Sequence, residues 1–279
     1  MWSICGKIIH VRPLVPGGKF HIQHLLRANS LSTNPQSLVP ITEELRSQLD
    51  FWYNVLPLCS GNVAIPDPDP VLPPWAIECW TDAAGGTTQK SWHGVGAVTQ
   101  FWWAYMAWGH QINSGQDAGR GRSLDRVMSA LELLGPLLTI AAGYEWCRHA
   151  VVKVWVDNAA ACHIWRKGYS TSCPLSSTIV KAVYDIAGGI GCKLDIVKIT
   201  RCSTPGAEMS DALSKGHFIR FWDIQKRSKD FDLDGEMAWV PTSLKRWVMN
   251  PRPDDQLGSR ILQELSAHTT VLGWNTGQL

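Results

Sequence analysis

Apolar and polar positions follow two different periods along the chain, and these mark where helices and strands should form. A helical period runs through residues 20–26 and again from Arg46 to Leu56, where Thr42 stands in the position of an N-cap. Residues 61–74 (GNVAIPDPDPVLPP) contain five prolines, which prevent a regular element. The first part of the chain is therefore predicted to be a helical segment that ends in a linker.

Beyond the linker, short apolar segments typical of strands alternate with helical segments. The predicted strands lie in WAIECWTD, in HGVGAVTQFWWAYMAW (two strands or a long hairpin), in VVKVWVDN and in KLDIVKIT. The predicted helices are Leu124–His149, Ala159–Lys167, Ser176–Ile186 and Met209–Lys226, and residues 115–122 (GQDAGRGR) form a glycine-rich loop. VVKVWVDN is continuously apolar, as in a strand that is covered on both faces. This order predicts an α/β domain with a mixed five-stranded sheet flanked by helices.

Three regions follow from these patterns. Residues 1–72 are predicted to be a helical connection segment with its proline-rich linker, and residues 73–226 the α/β domain. Residues 227–279 are predicted to be a polar C-terminal tail with a short helical piece at Gly258–Ala267.

Composition narrows the class of protein without naming a function. The net charge of +2 and 18% charged residues do not indicate a strongly basic protein, although a local basic groove remains compatible with them. The eight cysteines form no CxxC pair with zinc-site spacing. We find no secretory signal and no run of about 18 apolar residues that would span a membrane. An intracellular protein with reduced thiols, in the cytoplasm or the nucleus, is expected.

Four acidic residues stand where a metal-dependent nuclease would need them. Asp82 and Asp157 each end a predicted strand, Glu132 lies on a helix that would cross the sheet, and Asp211 lies near the start of a later helix. Residues at strand ends of an α/β sheet meet at one edge. Crowded carboxylates repel each other unless cations neutralise them, and Mg²⁺ or Mn²⁺ suits such oxygen ligands. Taken alone, each residue is more often a helix cap or a turn residue, and it is the joint pattern of all four that favours a metal site.

The sequence around these acids resembles a known family. TDAAGG after a strand, ALELL on a helix, VDNAAA after a second strand and SDALSKG after a Pro-Gly turn resemble the ribonuclease H domain of retroelement reverse transcriptases. GKIIHVRPLVPGGKFHIQHLL and EELRSQLDFWYNVLP resemble the segment that connects polymerase and ribonuclease H in DIRS-like, tyrosine-recombinase retroelements. The resemblance covers about residues 4–225.

The resemblance implies a ribonuclease H-like fold and hydrolysis of the RNA strand of an RNA–DNA hybrid. Asp82, Glu132, Asp157 and Asp211 would then be catalytic and would bind two Mg²⁺ ions, with Mn²⁺ as a possible substitute. Basic residues near the predicted edge would contact nucleic acid: Arg166, Lys167 and Lys215. No membrane partner is expected. The polymerase portion of a retroelement polyprotein would be expected beside such a domain, but this chain has no aromatic-X-Asp-Asp motif in a polymerase-like context.

Two departures from the family pattern keep other functions open. Arg201 and Cys202 stand where many ribonucleases H carry a histidine, and Pro136 follows Glu132 by one turn, which predicts a kinked or late-starting helix. One alternative is a catalytically inactive or domesticated ribonuclease H-like module that binds nucleic acid or protein. Another is a nuclease or transposase with the same fold that acts on DNA.

Overall fold

The three-dimensional structure is a computed structural model. It describes residues 2–12, 15, 17–32, 34, 36–58, 76–85, 94–107, 124–233 and 235–271. The proline-rich linker and the glycine-rich loop predicted above lie outside the described residues. None of the helices in the described ranges is both long and apolar enough to cross a membrane.

Helices and strands alternate in the predicted order. Before the sheet come α1 (Trp2–Val11), α2 (Gln23–Leu31) and α3 (Glu43–Val55), with short 3-10 turns at Gly18–Phe20 and Leu56–Leu58. The sheet and its helices are β1 (Ile77–Ala83), β2 (Gly94–Thr99), β3 (Trp103–Ala107), α4 (Leu124–Ala142), α5 (Tyr144–Cys147), β4 (Val151–Val156), α6 (Ala159–Lys167), α7 (Pro174–Gly189), β5 (Lys193–Lys198), α8 (Pro205–Ser214) and α9 (Phe218–Arg227). Two helices end the described part: α10 (Thr242–Met249) and α11 (Leu257–Val271).

The five strands form one mixed sheet in the order β3-β2-β1-β4-β5. β1, β2 and β3 form an antiparallel meander, and β4 and β5 run parallel to β1. The connection from β3 to β4 contains α4, and the connection from β4 to β5 contains α6 and α7. This architecture confirms the predicted α/β class and is consistent with a ribonuclease H-like fold.

Two hydrophobic layers hold the helices on the sheet. α4 and α7 cover one face, and their largest buried side chains include Leu133, Leu137 and Ile179. α8 and α9 cover the other face over β1, β2 and β3, where Phe221 is fully buried. Burying such a side chain stabilises the fold by about 1.5–3 kcal/mol relative to leaving it in water. The helices therefore have fixed positions relative to the strand ends.

The second face of the sheet is less covered over β4 than the sequence predicts. Buried residues alternate with half-buried ones along β4, and Lys153 and Trp155 lie on the open side. The prediction of a strand covered on both faces is therefore wrong for β4, because α8 and α9 pack over the neighbouring strands.

The N-terminal segment forms a small core of its own. Trp52 and Leu25 are fully buried between α2 and α3, and Thr42 caps α3 by accepting a hydrogen bond from the Leu45 backbone N–H at 3.3 Å. Tyr169, which follows α6, belongs to the same cluster. The helical character predicted for this part of the chain is confirmed, while the boundary near residue 72 lies outside the described residues.

The region after residue 226 is not a tail in the part that the structure describes, although the short helical piece predicted at Gly258–Ala267 lies within α11. α11 packs along α7, and the main hydrophobic core includes Leu244, Trp247, Ile261 and Leu265. These residues are spaced three or four apart on two helices, so each helix buries one apolar stripe and leaves its polar residues in water. The high polar content of this region hid that stripe.

Several helix ends differ from the predicted ones. The helix predicted from Leu124 to His149 ends at Ala142 and is followed by a separate short helix at Tyr144–Cys147. The helix predicted from Met209 to Lys226 is interrupted at residues 215–217, where Gly216 has a positive φ of 67°. The helix predicted to stop before Gly188 continues to Gly189. A glycine can end a helix but does not have to, because its backbone also tolerates the helical conformation at a modest free-energy cost.

Acid should destabilise the N-terminal core through His21. His21 is only 9% exposed, stacks on Phe51 at a centroid distance of 3.7 Å, and has a buried Nδ1 atom with no hydrogen-bond partner in the described part of the chain. Burial, with a smaller contribution from the positive charge of Lys181, lowers the pKa of His21 from 6.5 to about 3.

The folded state therefore keeps His21 neutral at pH values at which the unfolded chain takes up a proton. Its contribution to stability is complete above pH 6.5 and is lost as the pH falls toward 3. We expect the free energy of unfolding to fall by about 2 kcal/mol from this residue between pH 7 and pH 5. Urea denaturation at both pH values should show a smaller loss in His21→Phe than in the wild type. Equal losses would contradict this, and His163→Phe on the exposed side of α6 is the control.

Candidate metal site

Two of the predicted acids lie side by side because their strands are parallel neighbours. Thr81 of β1 pairs with Val156 of β4, so the residues that follow them, Asp82 and Asp157, lie at the same edge of the sheet. Asp82 is still within β1, whereas Asp157 follows the last residue of β4. The predicted placement of both residues at strand ends is confirmed.

Asp157 is available for this site because its neighbour caps the next helix. The Asn158 side chain accepts a hydrogen bond from the Ala161 backbone N–H at 3.0 Å, which is the N-cap interaction of α6. The alternative that Asp157 is itself the cap therefore fails, and its half-buried carboxylate points instead to the cluster.

The third acid, Glu132, reaches the site from the face of the sheet that α4 covers, opposite to the face covered by α8. Glu132 lies on α4, which is continuous from Leu124 to Ala142 even though it contains Pro136. Pro136 has no N–H to donate to the Glu132 carbonyl, but one missing hydrogen bond does not end a helix that is packed on the sheet. The late helix start that was considered from the sequence is therefore wrong.

Asp82, Glu132 and Asp157 form a compact triad. Each offers a carboxylate oxygen, and these oxygens all lie within 4.8 Å of one another. Asp82 and Glu132 are each only 5% exposed. The Glu132 Oε2 atom is buried and has no hydrogen-bond partner among the described residues. A buried carboxylate oxygen without a donor is costly, and a cation would satisfy it. This triad can therefore bind a metal ion.

The environment of the triad raises the pKa of two of its carboxyl groups. Burial raises the pKa of Glu132 well above its ordinary value, and the charges of Asp82 and Asp157 add to the rise. Burial also raises the pKa of Asp82; the hydrogen bond from Ser214 opposes this, and the Asp157 and Asp211 carboxylates add to it. A divalent cation bound beside these two groups would favour their charged carboxylate forms.

The fourth acid, Asp211, lies nearby on α8 but is not part of the triad. α8 approaches the sheet closely at Gly96, which pairs with Asp82. A Cβ atom at Gly96 would lie only 2.5 Å from the Leu213 Cβ atom. This approach brings the Ser214 hydroxyl to Asp82, to which it donates a hydrogen bond of 2.5 Å. Ser214 is fully buried, so it fixes the orientation of the Asp82 carboxylate.

Asp211 is neutralised by two cationic side chains. Its Oδ1 atom accepts hydrogen bonds from Arg201 Nη2 at 2.9 Å and from Lys215 Nζ at 2.6 Å. Burial alone would raise the pKa of Asp211, but these two hydrogen bonds outweigh it and lower the pKa. The hydrogen bond between Arg201 and Asp211 also raises the pKa of Arg201. Arg201 also lies near Asp157, with 3.8 Å between Arg201 Nε and Asp157 Oδ2.

The predicted nucleic-acid contacts fall at two places. Lys215 is at the site, where it is bound to Asp211. Arg166 and Lys167 lie at the other end of α6 from Asp157, about 10 Å along the helix axis from its first residue. The Lys167 ammonium lies over the Tyr169 ring at 4.5 Å. The roles of all three residues in binding nucleic acid stay predictions.

Three residues that shape the site are not among its sequence-predicted members: Ser214, Arg201 and Gly135. Gly135 lets α4 lie against β1, since a Cβ atom there would come within 2.5 Å of Thr81. Ser214 carried no signal, because it is 132 positions from the carboxylate that it contacts. Arg201 was noted only as a departure from the family pattern. The Lys215 contact with Asp211 could have been found, since four residues separate an acid from a base along one helix.

Comparison with known proteins gives no relative: no protein-family model, no curated protein and no solved structure matches this chain.

Proposed function

We propose that this protein is a metal-dependent endonuclease that hydrolyses the RNA strand of RNA–DNA hybrids, as the C-terminal part of a retroelement reverse transcriptase. One observation carries the proposal. Three carboxylates that repel each other lie at one sheet edge, with Asp82 and Glu132 buried and Asp157 half-buried, and the Glu132 Oε2 atom has no donor among the described residues. Such an arrangement is costly in the absence of a cation, so a structural role alone does not account for it.

The ligand chemistry favours Mg²⁺, with Mn²⁺ as a substitute, because the triad supplies only carboxylate oxygens. A divalent ion held there would activate water and stabilise the negative charge that develops on the scissile phosphate. The second ion predicted from the four-carboxylate pattern would need Asp211 as a ligand, and Asp211 is hydrogen-bonded to Arg201 and Lys215.

The chain's own residues perform three tasks in this proposal. Asp82, Glu132 and Asp157 hold the cation, and their rigid placement on β1, α4 and the end of β4 fixes its position. Ser214 orients Asp82 through its hydrogen bond. Arg201, whose side chain is 60% exposed, presents a guanidinium group to an approaching phosphate.

The choice of an RNA–DNA hybrid as substrate is supported by the motifs around the acids. The segments TDAAGG, ALELL, VDNAAA and SDALSKG resemble those of retroelement ribonuclease H domains, and the mixed five-stranded sheet flanked by helices is consistent with a ribonuclease H-like fold. Enzymes of this kind distinguish RNA from DNA through contacts to the 2′-hydroxyl groups.

A second function is favoured by the contacts of Asp211. Arg201 and Lys215 already neutralise Asp211, so this acid is not free to bind a metal ion. The same arrangement is expected in a non-catalytic, domesticated ribonuclease H-like module. Such a module would bind nucleic acid or protein without hydrolysing it.

One assay distinguishes these functions. The full chain is incubated with end-labelled RNA–DNA hybrid, duplex DNA and duplex RNA, each with Mg²⁺, with Mn²⁺ or with a chelator. We expect endonucleolytic cleavage of the RNA strand of the hybrid that requires the divalent ion. Cleavage of DNA would show that the substrate class is wrong, and binding to the hybrid without cleavage under either metal would support the non-catalytic module.

A further inference from the structure

The fourth carboxylate of the site, that of Asp211, is already paired with two cationic side chains. Asp211 is only 3% exposed, and both Arg201 and Lys215 donate to the same oxygen, Oδ1. Hydrogen bonds between ionised groups are the stronger class of hydrogen bond. The triad differs, because the Glu132 Oε2 atom has no donor among the described residues. The site therefore has two unlike halves: the triad, with an oxygen that the described residues leave without a donor, and Asp211, which is paired with Arg201 and Lys215.

The arginine also links the two halves. Its Nη2 atom bonds Asp211, while its Nε atom lies 3.8 Å from Asp157 Oδ2. The guanidinium group thus lies between a triad member and the fourth acid, where a second divalent ion would have to bridge carboxylates. A planar guanidinium with several donors can contact two carboxylates at once, which a lysine ammonium does less well.

The balance of charge at the site also favours one divalent ion over two. When ionised, four carboxylates carry four negative charges, and Arg201 and Lys215 remove two of them. The two negative charges that remain are balanced by one divalent cation. A second divalent ion would have to displace both cationic side chains from a buried carboxylate or leave the site with excess positive charge.

We infer that Arg201, supported by Lys215, takes the place of the second divalent ion, so that the resting protein binds a single ion at Asp82, Glu132 and Asp157. This inference rests on the proposed metal site and changes its stoichiometry. Arg201 acts here as a positioning residue. By contacting both Asp211 and Asp157, it keeps a second metal ion from binding to these two carboxylates.

Counting Mn²⁺ ions bound to the full chain tests this inference without measuring activity. Isothermal titration calorimetry should give one Mn²⁺ per wild-type chain. The double variant Arg201→Gln/Lys215→Gln releases Asp211 and should bind two ions. The two ions should then lie close enough for dipolar broadening of the Mn²⁺ electron paramagnetic resonance spectrum. Adding Asp211→Asn to the double variant should restore one ion.

The matched control removes one arginine and one lysine elsewhere. Arg220→Gln/Lys226→Gln, on the exposed side of α9, changes the net charge equally and should keep one ion. Circular dichroism establishes that each variant is folded. Two ions in the wild type, or one ion in the folded Arg201→Gln/Lys215→Gln variant, would overturn the inference and leave the proposed metal-dependent activity standing. Absence of Mn²⁺ binding to the wild type would overturn both.

Discussion

Replacing Asp82 by asparagine should reduce cleavage of the hybrid by more than about 100-fold, since even residues that only orient a metal ligand typically contribute 10–100-fold. Asp82 is central to the site: it belongs to the triad and accepts the hydrogen bond from Ser214. Asparagine has the same shape and can keep that hydrogen bond, but it lacks the negative charge that binds a cation. The rate of RNA-strand cleavage under single-turnover conditions measures the effect.

The stability of the same variant separates a lost site from a lost fold. Burial and the neighbouring carboxylates disfavour the charged form of Asp82, so metal-free Asp82→Asn should unfold at the same temperature as the wild type or above it. Glu78→Gln, on the same strand but outside the triad, should change neither property. Wild-type cleavage rates in folded Asp82→Asn would show that the triad is not the catalytic site.

Replacing Gly135 by alanine should damage both stability and metal binding. Gly135 lies one turn after Glu132 on α4, where a Cβ atom would come within 2.5 Å of the Cβ and Oγ1 atoms of Thr81 on β1. Since Thr81 is buried and adjacent to Asp82, the helix has to move away from the strand. Overpacking of this kind typically costs about 1–3 kcal/mol. We expect the melting temperature to fall by about 2–4 °C for each kcal/mol.

The same movement carries Glu132 away from Asp82, so the affinity for Mn²⁺ should fall with the melting temperature. Gly188→Ala is the matched control, because it is also a helical glycine, and a Cβ there meets nothing within 4 Å. Alanine at that position should stabilise the protein by about 0.5–1 kcal/mol. Differential scanning calorimetry and calorimetric titration with Mn²⁺ measure the two effects. Equal changes in both variants would mean that the close contact with Thr81 does not set the geometry of the site.

Local sequence predicted much of the framework of the site. The apolar segments that end in Asp82 and Asp157 are strands, as predicted, because short apolar segments between turn residues bury well in a sheet. Asn158 is a cap because its short side chain can accept from the first turn of a helix. Parallel pairing of β1 and β4 then places the two acids together.

Other predictions failed where packing outweighed local preference. Pro136 did not interrupt α4 at Glu132, and Gly188 did not end α7, since both helices are held by buried apolar side chains on the sheet. The C-terminal region was predicted to be a polar tail, yet α11 packs along α7. Intrinsic helix preferences cost about 1 kcal/mol for a glycine and about 3 kcal/mol for a proline inside a helix. Several large side chains that each gain about 1.5–3 kcal/mol on burial outweigh such costs.

The sequence by itself determined the strands of the sheet, most of the helices around it and which acids end the strands, because these depend on the period of apolar positions and on capping within a few residues. Only the tertiary structure decided which acids share a site. It joined Glu132 to the two strand ends, and it paired Asp211 with Arg201 and Lys215 instead. The physical reason is that charges interact through space over a few ångströms, whereas the chain separates Arg201 from Asp157 by a helix pair and a strand.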